Sequence, residues 1–145
     1  MSIHDPDPTE LVDDRDFAER IEQMCRFPQM WVTPATLETV CAYLDGYDRG
    51  RSGGLLAGFR EWLVVRLAGW NNFYWPGLTG VLLRTSDELL HDIDHNAERI
   101  KELGNLLKEF FAYRRSVGLT KLYFDYAEWL LKQEWYVGPL RTLAN

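Results

Sequence analysis

The sequence predicts an all-α, single-domain bundle of five to seven helices. Apolar residues recur three and four positions apart along most of the chain, which is typical of amphipathic helices. Prolines and glycines interrupt these runs at intervals that suit helix ends, and no strand pattern of comparable strength is present. The chain of 145 residues is 46% hydrophobic and 14% aromatic, which is enough to build one substantial core.

Four helices are predicted in the first half of the chain. Phe27-Pro28 ends the first, because a residue before proline avoids the helical region. Thr33-Pro34 starts the second, with a hydroxyl cap followed by a proline at the first helical position. The segment Gly46 to Gly54 holds four glycines and is predicted to be a mobile loop. The predicted helices cover about 9–25 or 14–25, 34–47, 55–67 and 76–83, with an aromatic turn over 69–77.

Two further helices are predicted in the second half. Ser86 or Asp87 caps the longest one, whose apolar residues follow a near-heptad spacing. Gly104-Asn105 is expected to kink or split it. After Gly118 a last helix follows, and Val137-Gly138-Pro139 closes it.

Residues 1–8 are predicted to form a flexible arm in front of one helical domain, 9–145. The net charge of −6 lies in residues 1–22, where eight acids face two arginines. This balance excludes a nucleic-acid-binding class, because phosphate contacts need concentrated Lys and Arg. It favours attraction to a basic partner, and the alternative is an acidic first turn favoured by the helix dipole. The candidate partner contacts in this segment are Asp13, Asp14 and Asp16.

The sequence indicates a cytoplasmic protein without a membrane association. No apolar run reaches the ~18 residues that span a bilayer, and the N-terminus lacks the basic start and apolar stretch of a signal peptide. Cys25 and Cys41 each fall on an apolar helix face, so we expect free, buried thiols in a reducing compartment. A disulfide between them is the alternative.

His91 and His95 are the strongest candidates for metal chemistry. Histidines four residues apart share one helical face, the geometry of some zinc sites. If Ile93 centres the buried stripe, however, both histidines point away from the core. A solvated acidic face is then the favoured interpretation, ahead of a partner contact and of a catalytic metal. The sequence holds no catalytic triad, phosphate loop or activated cysteine. We therefore predict no enzyme activity and no catalytic, metal or cofactor site; a small metal-dependent hydrolase using His91 and His95 is the alternative.

Arg66 falls within the apolar stripe of the predicted third helix, so we expect it to be mostly buried. There it would clamp a carboxylate or carbonyl groups of the Trp70–Trp75 turn, or else bind an anion at the mouth of a cleft. The amides of Asn71-Asn72 are expected to bond their own backbone, with ligand recognition as the alternative.

An interface is predicted on the last helix. Phe124 and Leu131 lie seven residues apart on the side opposite the buried stripe, beside Glu128, which is the spacing of anchors for a partner. The alternative is a central helix that is buried on both sides. A homodimer through this face would make the chain a structural, oligomerising subunit.

Residues 26–78 carry a resemblance to a known kind of protein. The segments are Arg26-Phe27-Pro28-Gln29-Met30-Trp31, Tyr43-Leu44-Asp45-Gly46-Tyr47, Gly58-Phe59-Arg60-Glu61-Trp62-Leu63, Asn71-Asn72 and Trp75-Pro76-Gly77-Leu78. They resemble small acidic bacterial immunity proteins found beside polymorphic toxins. The resemblance implies non-enzymatic, neutralising binding to a cognate toxin, and an acidic immunity protein suits a basic toxin.

Overall fold

The computed structural model describes residues 13–51, 53–83 and 93–144, and these form an all-α body without strands. Its helices share one hydrophobic core, to which all of α1 to α5 contribute buried side chains. The helices are α1 (Arg15–Arg26), α2 (Leu37–Gly50), α3 (Phe59–Leu67), α4 (Trp75–Leu82), α5 (Ile93–Leu131) and α6 (Pro139–Ala144), with a 3-10 turn at Pro28–Met30. The predicted arm, 1–8, and the predicted cap at Ser86 or Asp87 lie outside the described residues.

The first helix follows its sequence pattern closely. Phe17, Ile21 and Met24 are buried on one face of α1, and the helix ends just before Phe27 as predicted. The spacing of three and four residues places these side chains on a single stripe against α5.

The start of α2 corrects the prediction at Thr33-Pro34. The cap is Thr36, whose hydroxyl accepts from the Thr39 amide at 3.2 Å, while the Thr39 hydroxyl accepts from the Thr36 amide at 3.0 Å. This reciprocal capping box satisfies two amides at once, which one hydroxyl before a proline does not do. Asn96 of α5 accepts from the Leu37 amide at 3.2 Å and fixes the same end.

The predicted glycine-rich loop is shorter than expected. The helix α2 continues through Gly46 to Gly50, because buried neighbours such as Leu44 outweigh the low helix propensity of glycine. Asp48 is buried near the helix end, and its carboxylate accepts from the amides of Leu55 and Leu56 at 2.7 and 3.2 Å. The chain between α2 and α3 is therefore tied down by one acidic side chain.

The longest helix breaks at Gly118 and not at Gly104-Asn105. Gly118 has φ 82 and ψ 161, so α5 consists of an N-terminal segment, 93–117, and a C-terminal segment, 119–131. Gly104 lies within the helix, and its role there is to permit close packing. A Cβ there would lie 3.0 Å from Sγ of Cys25, so the glycine permits the close approach of α1 and α5.

Within the described ranges, no helix combines the length and the apolarity needed to cross a bilayer.

Candidate functional site

The loop between α3 and α4 holds two residues in left-handed backbone conformations. Ala68 has φ 52 and ψ 43 at the end of α3, and Trp70 has φ 62. A positive φ at a residue as bulky as tryptophan is a true outlier and costs on the order of 1–3 kcal/mol. Such strain persists only where the surrounding structure holds it, and it is concentrated at functional sites.

Arg60 of α3 holds this loop in place. Its Nε donates to the Phe73 carbonyl at 2.9 Å, and its Nη2 donates to the Asn71 carbonyl. The Asn71 side chain is held as well, because its Oδ1 accepts from the Tyr126 hydroxyl of α5 at 2.5 Å. The expectation that Asn71 would bond its own backbone is therefore corrected: its amide oxygen links the loop to α3 and α5.

Behind this loop lies an aromatic groove of about 460 Å³. Trp70 is 48% exposed and Trp135 is 57% exposed, while Trp129 is half-buried. The rings of Trp129 and Trp135 meet edge to face, with centroids 6.2 Å apart. We call this the tryptophan groove; its lining is Ala68, Gly69, Trp70, Asn71, Asn72, Trp129, Gln133 and Trp135.

Some hydrogen-bonding groups of the tryptophan groove have partners within the protein, and others have none among the described residues. The Asn71 and Phe73 carbonyl groups and the Asn71 side-chain oxygen are occupied by Arg60 and Tyr126. The Trp129 carbonyl accepts from Nε2 of Gln133 at 2.9 Å. By contrast, the three indole N–H groups donate to no other residue in the part of the chain that the structure describes. The side-chain oxygens of Asn72 and Gln133 likewise accept from no other described residue, so the groove offers both donors and acceptors, and none of its lining residues is charged.

The exposure predicted for the last helix is observed in part. Phe124 is 57% exposed, and Glu128 beside it is also exposed. Leu131 differs from the expectation, since it is half-buried. The helix α6 returns to this end of α5, where Nη2 of Arg141 donates to the carbonyl groups of Leu131 and Gln133 at 3.2 and 2.5 Å.

The acidic segment separates into an outer and an inner part. Asp13 and Asp16 are exposed, and Asp13 pairs with Arg15 at 3.2 Å. Asp14 was expected on the same acidic surface, but it is 3% exposed and belongs to the interior. Its carboxylate binds Arg114 at 3.1 Å and Arg115 at 2.8 Å. The residue is thus occupied within the fold and cannot form part of an open acidic surface.

Arg66 is also placed differently from the prediction. Its side chain is 40% exposed, and Nη1 pairs with Oε1 of Glu109 at 2.5 Å across the surface of α5. The buried face of α3 runs through Phe59, Leu63 and Val64, which turns Arg66 to the edge of the core. The clamp on the carbonyl groups of the aromatic turn does exist, but Arg60 provides it.

The histidine pair can be followed at one residue only. His91 lies outside the described residues, and His95 is half-buried beside Leu82, Leu83 and Glu98. Among the residues that the structure does describe, no three His, Cys, Asp or Glu side chains are grouped so that they could hold a metal ion.

Both cysteines are free thiols, as expected. Burial raises the pKa of Cys25 to about 11 and the pKa of Cys41 to about 12. Both thiols therefore stay protonated near neutral pH. A nucleophilic cysteine needs the opposite shift, so neither residue is poised for covalent chemistry.

Comparison of the chain with protein-family models, with curated proteins and with solved structures found no significant match. The site is therefore described from its own geometry. Sequence reasoning singled out the aromatic turn but missed that Trp129 and Trp135 close a groove against it. The signal was present in the three amides and three tryptophans of segments 70–72 and 129–135, which are brought together only by tertiary packing.

Proposed function

We propose that this chain is a non-enzymatic protein-binding module, and that it acts as an immunity protein that neutralises a cognate bacterial toxin. The observation that carries the proposal is the exposure of large apolar side chains in the last third of the chain. Phe124 and Trp135 are each 57% exposed, and Val137 is 88% exposed. Exposed aromatic residues of this kind are enriched among interface hot spots.

The charge of the chain supports the same proposal. Asp16 and Glu19 on α1 are exposed and form no ion pair with another described residue. Unpaired surface acids speed the encounter with a basic protein, whereas apolar anchors slow its release. The resemblance of residues 26–78 to acidic immunity proteins points to a toxin as that basic partner.

Phe124 is the anchor that an experiment can remove most cleanly, because it is exposed and lies opposite the buried side of its helix. We expect Phe124→Glu to keep the helical content and to weaken partner binding by about 30-fold or more, since an anchor of this size contributes on the order of 2 kcal/mol. The matched control is Phe27→Glu, which changes a phenylalanine of similar exposure (51%) outside this surface.

The measurement is growth of cells that express the chain together with the product of the adjacent gene, followed by affinity between the two purified proteins. The proposal requires the wild type and Phe27→Glu to restore growth and Phe124→Glu to fail. An adjacent product that is harmless alone would overturn it, as would full protection by Phe124→Glu. Light scattering of the isolated wild-type chain and of Phe124→Glu tests the homodimer, which requires a dimer that the substitution abolishes.

A further inference from the structure

The tryptophan groove is shaped by a loop that is held in a costly conformation. Trp70 has φ 62, and the loop that carries it accepts hydrogen bonds from Arg60 at the Asn71 and Phe73 carbonyl groups. A loop that is fixed before binding reduces the entropy that a ligand must overcome. Since backbone strain of this kind is concentrated at functional sites, the groove is a candidate ligand site.

The lining limits the charge of the ligand. All eight residues that line the tryptophan groove are uncharged. A phosphate, carboxylate or ammonium group would lose water there without gaining a partner of opposite charge. The net charge of −6 on the whole chain repels an anion further. The ligand is therefore neutral where it contacts the groove.

The polar groups of the lining favour a ligand that both donates and accepts hydrogen bonds. Among the described residues, the three indole N–H groups have no acceptor, and the side-chain oxygens of Asn72 and Gln133 have no donor. An indole can only donate, and an amide oxygen can only accept. A hydroxyl group does both, so a ligand with several neighbouring hydroxyl groups can satisfy either kind of lining group.

The exposed ring of Trp135 favours a ligand that also has an apolar face. Trp135 is 57% exposed, and Trp129 and Tyr136 meet it edge to face, so no described ring is stacked parallel on it. A pyranose ring presents C–H groups on its face and hydroxyl groups around its rim. The C–H groups carry a partial positive charge and pack on the negative face of an indole. The hydroxyl groups are then free to reach the amides and water.

A nucleobase also stacks on indoles, but it matches the lining less well. Its edges carry donors and acceptors in a fixed order, whereas hydroxyl groups adapt to the groups that they meet. In nucleotides the base is joined to phosphate, for which the groove has no cation.

We propose that the tryptophan groove binds a neutral sugar, with its C–H groups on the indole of Trp135 and its hydroxyl groups bonded to the side chains of Asn72 and Gln133. The groove volume of about 460 Å³ lies in the range of small-ligand sites. This inference goes beyond the proposed function and does not depend on a toxin partner.

The test is a titration of the ¹⁵N-labelled protein with methyl β-glucoside, methyl β-galactoside and methyl α-mannoside in turn. Each is taken to about 100 mM, which saturates a site of millimolar affinity. Sorbitol, which has similar hydroxyl groups but no ring, is the control ligand. The indole N–H signals of Trp70, Trp129 and Trp135 should shift saturably with at least one glycoside and stay unchanged with sorbitol. The remaining three of the six tryptophans report any non-specific effect.

Substitutions at the two kinds of contact complete the design. Trp135→Ala should weaken glycoside binding by about tenfold or more, the usual loss at an aromatic hot spot, and Trp135→Phe should restore part of it. Asn72→Ala, at an exposed residue, should weaken it by about three- to tenfold, the loss of one hydrogen bond. The matched control is Phe27→Ala, at a ring of similar exposure (51%) outside the groove, which should leave binding unchanged.

Absence of saturable indole shifts with all three glycosides would overturn the inference, and so would equal shifts with sorbitol. Full glycoside affinity in Trp135→Ala or in Asn72→Ala would also overturn it, because the sugar would then not make the contacts proposed. Groove signals that respond to adenosine but to no glycoside would assign the groove to nucleosides instead. Because Phe124→Glu tests the toxin partner separately, a failed titration with retained Phe124-dependent protection removes the sugar inference alone.

Discussion

Arg114 and Arg60 each bind two backbone carbonyl groups, but they do so in different surroundings. Arg114 is 4% exposed, donates to the Leu55 and Ala57 carbonyl groups at 2.9 Å, and has the buried carboxylate of Asp14 as its counter-ion. Arg60 is 26% exposed, and its nearest acid is Glu61 at 4.0 Å. The first arginine joins α1, α5 and the chain before α3 into the core. The second fixes a surface loop that carries an exposed tryptophan.

Similar hydrogen bonding therefore serves stability in one region and the shape of a surface site in the other. A buried ion pair is costly to leave half-made, because the remaining charge has lost its water. An arginine that binds carbonyl groups at the surface contributes less to the unfolding free energy, but it fixes the conformation of the loop that a ligand would contact.

Arg114→Met should have the largest effect. It leaves the Asp14 carboxylate buried with only Arg115 as a partner and removes the donors to two carbonyl groups, so we expect a loss of about 3–5 kcal/mol in unfolding free energy. Urea denaturation followed by circular dichroism measures it. The control is Arg115→Met, whose side chain is 59% exposed and should cost about 1 kcal/mol or less. Equal losses in the two variants would contradict the assignment of Arg114 as the internal partner.

Arg60→Met tests the other side of the comparison. Loss of its charged hydrogen bonds to the loop should lower the unfolding free energy by about 2 kcal/mol. The same change should also shift the indole N–H signal of Trp70 in a ¹⁵N spectrum, because the loop that carries it is released, whereas Arg114→Met, measured where it is still folded, should not. A variant that loses stability but retains the wild-type Trp70 signal would mean that Arg60 does not shape the groove.

Ala68→Gly should have the smallest effect, and of the opposite sign. Glycine adopts the left-handed conformation of this position without a Cβ penalty, so we expect a gain of about 0.5–1 kcal/mol. Thermal denaturation measures it. Ala112→Gly, at an exposed helical position of α5, is the matched control and should destabilise by about the same amount. A loss of stability in Ala68→Gly would show that the backbone there is not left-handed.

Prediction from the sequence worked best where one helix face decides the outcome. The stripe of α1, its end at Phe27 and the break at Gly118 follow from spacing and from the conformational preferences of proline and glycine. Prediction from the sequence failed where a contact with a residue distant in the chain determines the conformation or the burial of a side chain. Gly104 was predicted to kink its helix, but it is the position at which Cys25 approaches closely. Arg66 was predicted to be the buried arginine that holds the aromatic turn, but Arg60 forms those hydrogen bonds.

Local patterns in the sequence were therefore sufficient to predict an all-α fold, because periodicity and local propensity act over a few residues. Long-range packing makes Asp14 an internal counter-ion, lets Arg60 hold the loop at Trp70, and brings three tryptophans from two distant segments into one groove. The physical reason is that burial and pairing depend on contacts between residues up to a hundred positions apart, such as Asp14 and Arg114, which no local pattern encodes.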